Sequence, residues 1–179
     1  MNILEYYYEN VIKYDLLNKF FYTQSKDLPK LTKIVLNFGC KSFEIKKLAA
    51  SLLALELITN KSAFLTTSKK ANVLLKIRKG HPVGCAVILE KKKMYQFYFK
   101  LITEVFPILK DFKGLPLTKQ VKEKSFSFTL KELIAFDELG KHFYLFNSLP
   151  PLNITFITNT KSQKELLYLL KAFKIPLKY

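Results

Sequence analysis

Apolar positions along the chain alternate between two periods, and each change of period marks a new element. From Asn2 to Phe21, Leu4, Tyr7, Tyr8, Val11 and Tyr14 recur at helical spacing while Glu5, Glu9 and Lys13 occupy the rest of the wheel, which predicts a helix. Asp27-Leu28-Pro29 interrupts, and Lys33 to Phe38 reads as a β-branched strand ending at Gly39. A second helix is predicted from Glu44 to Ile58, with Ile45, Leu48, Ala49, Leu52, Leu55 and Leu57 on its apolar face and Thr59-Asn60-Lys61 as its stop. Phe64 to Thr67 reads as a short strand.

Val73 to Arg78 alternates: Val73, Leu75 and Ile77 would hold one strand face to the core, leaving Lys76 and Arg78 on the other. Cys85 to Leu89 is a second apolar run, and Gly80 to Gly84 supplies turn residues between them, so a hairpin or tight corner is expected. Lys91-Lys92-Lys93 introduces a long helix carrying Met94, Phe97, Tyr98, Leu101, Ile102, Val105, Phe106 and Leu109, with Pro107 kinking its last turn. Asp111 to Gln120 reads as loop and Ser125 to Lys131 as a half-buried strand with Phe126, Phe128 and Leu130 inward. After the break at Leu149-Pro150-Pro151, Asn153 to Thr158 is strand, and Ser162 to Glu165 forms a capping box ahead of Leu166, Leu169, Leu170 and Phe173. This order implies an α+β fold, a single domain over 1–179, with an antiparallel or mixed sheet and helices on one face.

Composition adds a partner. Hydrophobic residues make up 49% of the 179, enough to support a core, yet 30 Lys+Arg against 14 Asp+Glu leave a formal charge of +16. Such an excess expects a polyanion. Arg78 is the only arginine, so most anion contacts are expected to be phosphate contacts without base readout. A Lys-, Phe- and Tyr-rich, Arg-poor chain also fits an AT-rich genome, as in an organelle or a reduced bacterium. No apolar run reaches the ~18 residues of a membrane span, so no membrane association is expected. The first residues read as neither a signal peptide nor a transit peptide.

Catalysis finds no support. His81 and His142 stand outside any HxxE, HExxH or GxSxG pattern, Gly80 to Gly84 is neither a dinucleotide fingerprint nor a P-loop, and Cys40 and Cys85 lack zinc-site spacing. No catalytic residue, metal site or cofactor is expected, and both cysteines are read as reduced structural thiols. Lys69-Lys70, Lys76, Arg78-Lys79 and Lys91-Lys92-Lys93 concentrate eight cations in 25 residues. Each run alone reads as a solvated face, but their clustering around one hairpin points to phosphate contact. Ser68 to Asn72 lacks apolar anchors and is expected to extend, mobile in the free protein, towards a partner.

The stretch Leu75-Lys-Ile-Arg-Lys-Gly-His-Pro-Val-Gly-Cys85 resembles the Phe-Lys-Ile-Arg-x-Gly-x-Pro-x-Gly signature of the universal large-subunit ribosomal protein L-five family. Lys33 to Gly39 is similar to that family's first strand and Asn-x-Gly turn, and similarity continues through Leu101-Ile-Thr103, Asp111-Phe-Lys-Gly-Leu115, Ile154 to Thr158 and Ala172 to Pro176. The resemblance implies a structural, non-enzymatic protein of the large ribosomal subunit. Its implied partners are 5S rRNA and neighbouring large-subunit rRNA in the central protuberance, P-site tRNA, a small-subunit head protein across an intersubunit bridge, and other central protuberance proteins. It carries Asn37, beside Gly39, over as a 5S contact. Lys61 stands where the family has Gln and is carried over only as a phosphate contact, whereas Ile88, in place of Thr, is not carried over. The basic arm at about 68–80, bearing Lys69, Lys70, Lys76, Arg78 and Lys79, resembles the loop that approaches the tRNA elbow. The segment at about 112–147 resembles the part that faces the small subunit, with Val121 to Phe126 replacing a glycine-rich loop and Phe136 to Leu139 replacing Phe-Pro-Glu-Ile. The compartment implied is the mitochondrion, with a plastid or the bacterial cytoplasm as alternatives. A free-standing RNA-binding module or assembly factor on the same fold is the rival reading.

Overall fold

The computed structural model describes residues 3–40, 44–75, 77–110, 112–117 and 121–178. Its main strands are β1 (Leu31–Gly39), β2 (Phe64–Thr67), β3 (Pro82–Glu90), β5 (Ser125–Leu130) and β6 (Leu152–Thr158). These five hydrogen-bond in the order β2-β3-β1-β6-β5. The short β4 (Leu115–Pro116) and β7 (Leu177–Lys178) pair in parallel apart from them. The mostly antiparallel sheet with its helices makes the chain α+β, as the pattern predicts. Two compact units emerge, one of Met1–Ile34, Glu90–Phe128 and Thr155–Tyr179, the other of Val35–Leu89 and Thr129–Ile154; the divisions fall within β1, β3, β5 and β6.

The first unit has an aromatic core. Its opening helix consists of α1 (Ile3–Tyr7), a π-helical turn over Tyr8–Ile12 and α2 (Lys13–Lys19). Tyr8, Ile12 and Leu16 are buried, whereas Val11 and Tyr14, assigned to the apolar face from the sequence, are exposed. The wider i→i+5 turn brings positions four apart into line, so the buried stripe runs one residue away from the one expected. The second long helix is built the same way, from α4 (Lys91–Lys100), a π-helical turn Leu101–Val105 and α5 (Phe106–Ile108). Pro107 has no N–H to offer the preceding turn, and the departure from α-geometry lies just ahead of it.

Tyr98 of α4 is almost fully buried, its ring 5.5 Å from Phe156 and 5.4 Å from Phe173, and its hydroxyl donates to the Phe173 carbonyl at 3.2 Å. Phe126 and Phe128 of β5 extend this cluster towards Phe156 and Phe106. α8 (Gln163–Ala172) starts at the predicted cap: Ser162 Oγ accepts from the Glu165 backbone N–H at 3.3 Å, while the Glu165 carboxylate reaches one residue beyond the cap and accepts from the Lys161 N–H at 3.0 Å. Gly114 has φ +96°, and a Cβ there would press on the backbone of Pro176 and Lys178, so the β4–β7 pairing needs a glycine.

In the second unit α3 (Ile45–Thr59) covers the core face of β3, where the buried Cys85 thiol donates to the Leu48 carbonyl at 3.5 Å. Leu48, Ser51, Ala54, Leu55, Ile58 and Thr59 are buried on α3, while Ile45 and Ala49, expected on its apolar face, are exposed. Ser51 and Thr59 belong to the buried face because each hydroxyl donates to the carbonyl four residues back, at 2.7 Å, which removes the cost of burying it. A 3-10 turn (Leu133–Ala135) and two short helices, α6 (Asp137–Gly140) and α7 (Phe143–Phe146), follow β5 and were not indicated by periodicity. α6 and α7 pack on α3.

Two expectations fail here. The strand expected over Val73 to Arg78 is not found among its described residues: Val73, Leu74 and Leu75 are in a turn, and Val73 and Leu74 are 90% and 94% exposed. Beyond the Asn72–Ile77 bridge no ladder continues among the described residues, so Val73, Leu74 and Leu75 are exposed while Ile77 is buried. Gly80 to Gly84 is likewise not one turn. Gly80 turns with φ +88°, but β3 already begins at Pro82, and Gly84 sits where the Phe38 carbonyl comes too close for any Cβ.

Candidate nucleic-acid interface

The second unit carries the residues singled out from the sequence. On β1, alternation turns Leu36 and Phe38 to the core and leaves Val35 and Asn37 half-buried on the other face. On β3 the core positions are Cys85, Val87 and Leu89, so the half-buried Ile88 shares the open face with Asn37. Asn153 of β6 and Thr129 of β5 lie on it too, the Thr129 hydroxyl donating to Asn153 Oδ1 at 2.7 Å. This is a hydroxyl and amide surface without a formal charge at these positions, suited to sugar hydroxyls and base edges in a shallow RNA groove. Among the described residues the Asn37 amide has no partner, so its donors and acceptor remain available.

Gly39 is exposed at the end of β1, and a Cβ there would meet nothing within 4 Å. The fold therefore does not demand a glycine at that point, and the bare backbone leaves room for close approach from outside. Lys61 is half-buried; its ammonium donates to the Ile88 carbonyl at 2.6 Å. That bond holds one positive charge at the margin of the open face, with ammonium donors to spare.

The arm from Ser68 to His81 is a hydrogen-bonded hairpin continuing the β2–β3 pair. The Ser68 N–H donates to the His81 carbonyl at 2.8 Å, the Gly80 N–H to the Ser68 carbonyl at 2.9 Å, and Asn72 and Ile77 exchange both backbone bonds at 2.8 and 3.0 Å. Asn72 Oδ1 also accepts from the Leu75 N–H at 3.3 Å, shaping the tip. Lys69, Lys70, Arg78 and Lys79 are all exposed on its two sides, and Lys76 lies outside the described residues. Lys91, Lys92 and Lys93 belong to the start of α4, in the first unit, whereas Lys69, Lys70, Arg78 and Lys79 belong to the second.

Sequence reasoning missed the apolar tip. Val73 was assigned to the core by alternation and Leu74 to the opposite face, yet both are displayed between the basic flanks. The signal was in the flanking residues: an Asn72 able to fold a turn, and basic residues on both sides that cannot be buried. The cysteines are free thiols. Burial, and secondarily Cys40, push the Cys85 thiol up to about 11, which keeps it protonated and unreactive at neutral pH. Among the described residues no group of His, Cys, Asp or Glu could hold a metal, and no helix is long and apolar enough to cross a membrane.

The sequence profile of the ribosomal L-five family C-terminus matches residues 82–177. The chain is 41% identical over 179 residues to large ribosomal subunit protein uL5m of Reclinomonas americana, covering 99% of this chain and 98% of that one. It is 39% identical to large ribosomal subunit protein uL5 of Wigglesworthia glossinidia brevipalpis and 35% identical to that of Nitrosomonas europaea, each over 178 residues and 98% of both chains.

Proposed function

Because the chain belongs to the uL5 family of large ribosomal subunit proteins, we propose that its open sheet face binds 5S rRNA and its basic hairpin contacts P-site tRNA. The protein is a structural constituent of the large ribosomal subunit, and its relatives are named as ribosomal proteins rather than enzymes. Asn37 carries the first contact: an amide without a partner among the described residues gains hydrogen bonds when something polar is laid against it. Gly39 lets the ribose-phosphate backbone approach, and Lys61, fixed by the Ile88 carbonyl, supplies a phosphate contact at the margin. Lys69, Lys70, Lys76, Arg78 and Lys79 serve any RNA without reading its sequence, as a contact made with every elongator tRNA requires. Val73 and Leu74 at the tip offer apolar surface to an unstacked base or ribose.

The remaining partners are large-subunit rRNA, the other central protuberance proteins and a small-subunit head protein facing the 112–147 region. The exposed side chains of Ile134, Phe143, Tyr144 and Leu145 in that region favour a protein neighbour. The compartment proposed is the mitochondrion, supported by the Lys-rich composition and by the uL5m relative. The rival, an assembly factor, differs in one respect: it leaves the mature particle. Replacing Asn37 by Ala tests the site. In filter binding with 5S rRNA the variant is expected to bind more weakly with an unchanged salt slope; equal affinity removes Asn37 from the interface.

A further inference from the structure

In the first unit, a cleft of about 190 Å³ is lined by Tyr8, Glu9, Lys13, Ser25, Lys26, Leu28 and Lys30. Its lysines come from separate places: Lys13 opens α2, Lys26 lies in the 3-10 turn Ser25–Asp27, and Lys30 immediately precedes β1. None of them belongs to the hairpin or to the Asn37 face, which lie in the other unit. Lys13 pairs with Glu9 at 3.2 Å, so the cleft keeps a net positive charge from Lys26 and Lys30. Asp27, the nearest other acid in sequence, is drawn off by Lys161 at 3.0 Å.

The segment bearing Lys26 and Lys30 is held rigidly. Asn159 accepts from the Lys30 N–H at 2.6 Å and donates to the Leu28 carbonyl at 3.0 Å and the Lys26 carbonyl at 3.4 Å. The Tyr8 hydroxyl donates to the Pro29 carbonyl at 2.9 Å from the floor of the cleft. Burial raises the pKa of that hydroxyl well above its ordinary value, so Tyr8 adds no negative charge. The result is a preformed, positively charged notch whose lining also includes the apolar surface of Tyr8 and Leu28 and the residue Ser25.

We propose that this cleft seats a phosphodiester of ribosomal RNA, as a second RNA contact independent of the one on the other unit. The proposal rests on the RNA-binding reading above. Its lysines favour a polyanion over a small free anion. Lys26 and Lys30 are exposed on the rim and contain no buried donor that would replace the water shell of free phosphate, whereas a nucleic-acid backbone gains from them by counterion release. The apolar surface of Tyr8 and Leu28 then meets the ribose beside the phosphate.

The test compares two double variants of the full chain, Lys26→Gln with Lys30→Gln and Lys69→Gln with Lys70→Gln, by salt titration of binding to 5S and large-subunit rRNA transcripts, with thermal melting to confirm folding. The cleft variant retains the Lys13–Glu9 pair, so folding is expected to persist. Its salt slope with at least one transcript is expected to fall by about one to two units, at roughly 0.7–0.9 per cation lost. An unchanged slope and affinity for both transcripts, in a folded variant of a protein that binds RNA, overturns the cleft contact while leaving the RNA-binding reading standing. Failure of the unmodified chain to bind either transcript overturns both. Calorimetry with inorganic phosphate separates the sources: saturation at micromolar phosphate, abolished in the cleft variant while its RNA slope is unchanged, assigns the cleft to a free anion and contradicts the proposal.

Discussion

Two stretches of this chain carry apolar residues at every second position, 125–130 strictly and 73–78 with Leu74 out of pattern, and they end up as opposites. In β5, Phe126, Phe128 and Leu130 turn inward, while Ser127 and Thr129 reach across to Thr155 and Asn153 on β6 at 3.0 and 2.7 Å. In the other, Val73, Leu74 and Leu75 are exposed in a turn, and Ile77 is buried where it bridges to Asn72. The difference is the neighbour. Alternation becomes a strand where another strand takes its hydrogen bonds; without one, the same side chains are put on display. The first stretch builds the core; the second is the surface proposed to meet RNA.

Truncation should break the comparison at its strongest point. Phe126→Ala removes a fully buried ring from the Phe128–Phe156 cluster and is expected to cost about 3–5 kcal/mol of stability, read from urea unfolding. A loss below about 1 kcal/mol shows that the cluster is loosely packed. Next in size is the open face. Asn37→Ala is expected to cost about 1–3 kcal/mol of 5S affinity with melting nearly unchanged, because its amide makes no hydrogen bond among the described residues.

A pH titration sharpens the contrast between buried sheet and exposed arm. The Cys85 thiol is raised from 9.0 to about 11 in the folded chain. A group raised on folding contributes stability that is complete below its unfolded pKa and disappears as pH climbs through the folded value, so denaturant midpoints should decline from about pH 9 towards 11. Tyr95, raised to about 12 by burial and then by Glu5 and Glu9, continues the decline above pH 10. Replacing Cys85 by Val should flatten the lower part of the curve, and a midpoint constant to pH 11 contradicts the burial of that thiol.

The smallest effect on folding belongs to the hairpin. Val73→Ser with Leu74→Ser, or neutralisation of Lys69 and Lys70, is expected to change stability by no more than about 0.5 kcal/mol, since these side chains touch little of the protein. Their loss should appear in tRNA retention on assembled ribosomes. If such particles hold tRNA normally while the protein assembles poorly, the arm serves rRNA instead.

Strands β1, β5 and β6 and the start of α8 were legible because each reports its own environment: alternation for a half-buried strand, and Ser162 with Glu165 for a helix start. The π-helical turns over Tyr8–Ile12 and Leu101–Val105 were not, since they shift the buried stripe without altering the apolar content. The hairpin tip was misread because periodicity carries no information about whether a partner strand exists. Asn37 and the basic arm were legible from charge and resemblance. The cleft of Lys13, Lys26 and Lys30 was not, because it exists only after Asn159, more than a hundred residues away, fixes the 26–30 segment beside the opening helix.

The central claim is residence in the large subunit through 5S rRNA. Ribosomes carrying a tagged copy of the chain should be washed at high salt and sedimented, and the RNA retained on the tagged protein after subunit dissociation should then be sequenced. The account predicts that the protein remains with the large subunit and that 5S rRNA is enriched with it, less so for Asn37→Ala. Release from the particle at moderate salt, or recovery of the protein without 5S rRNA, would contradict it.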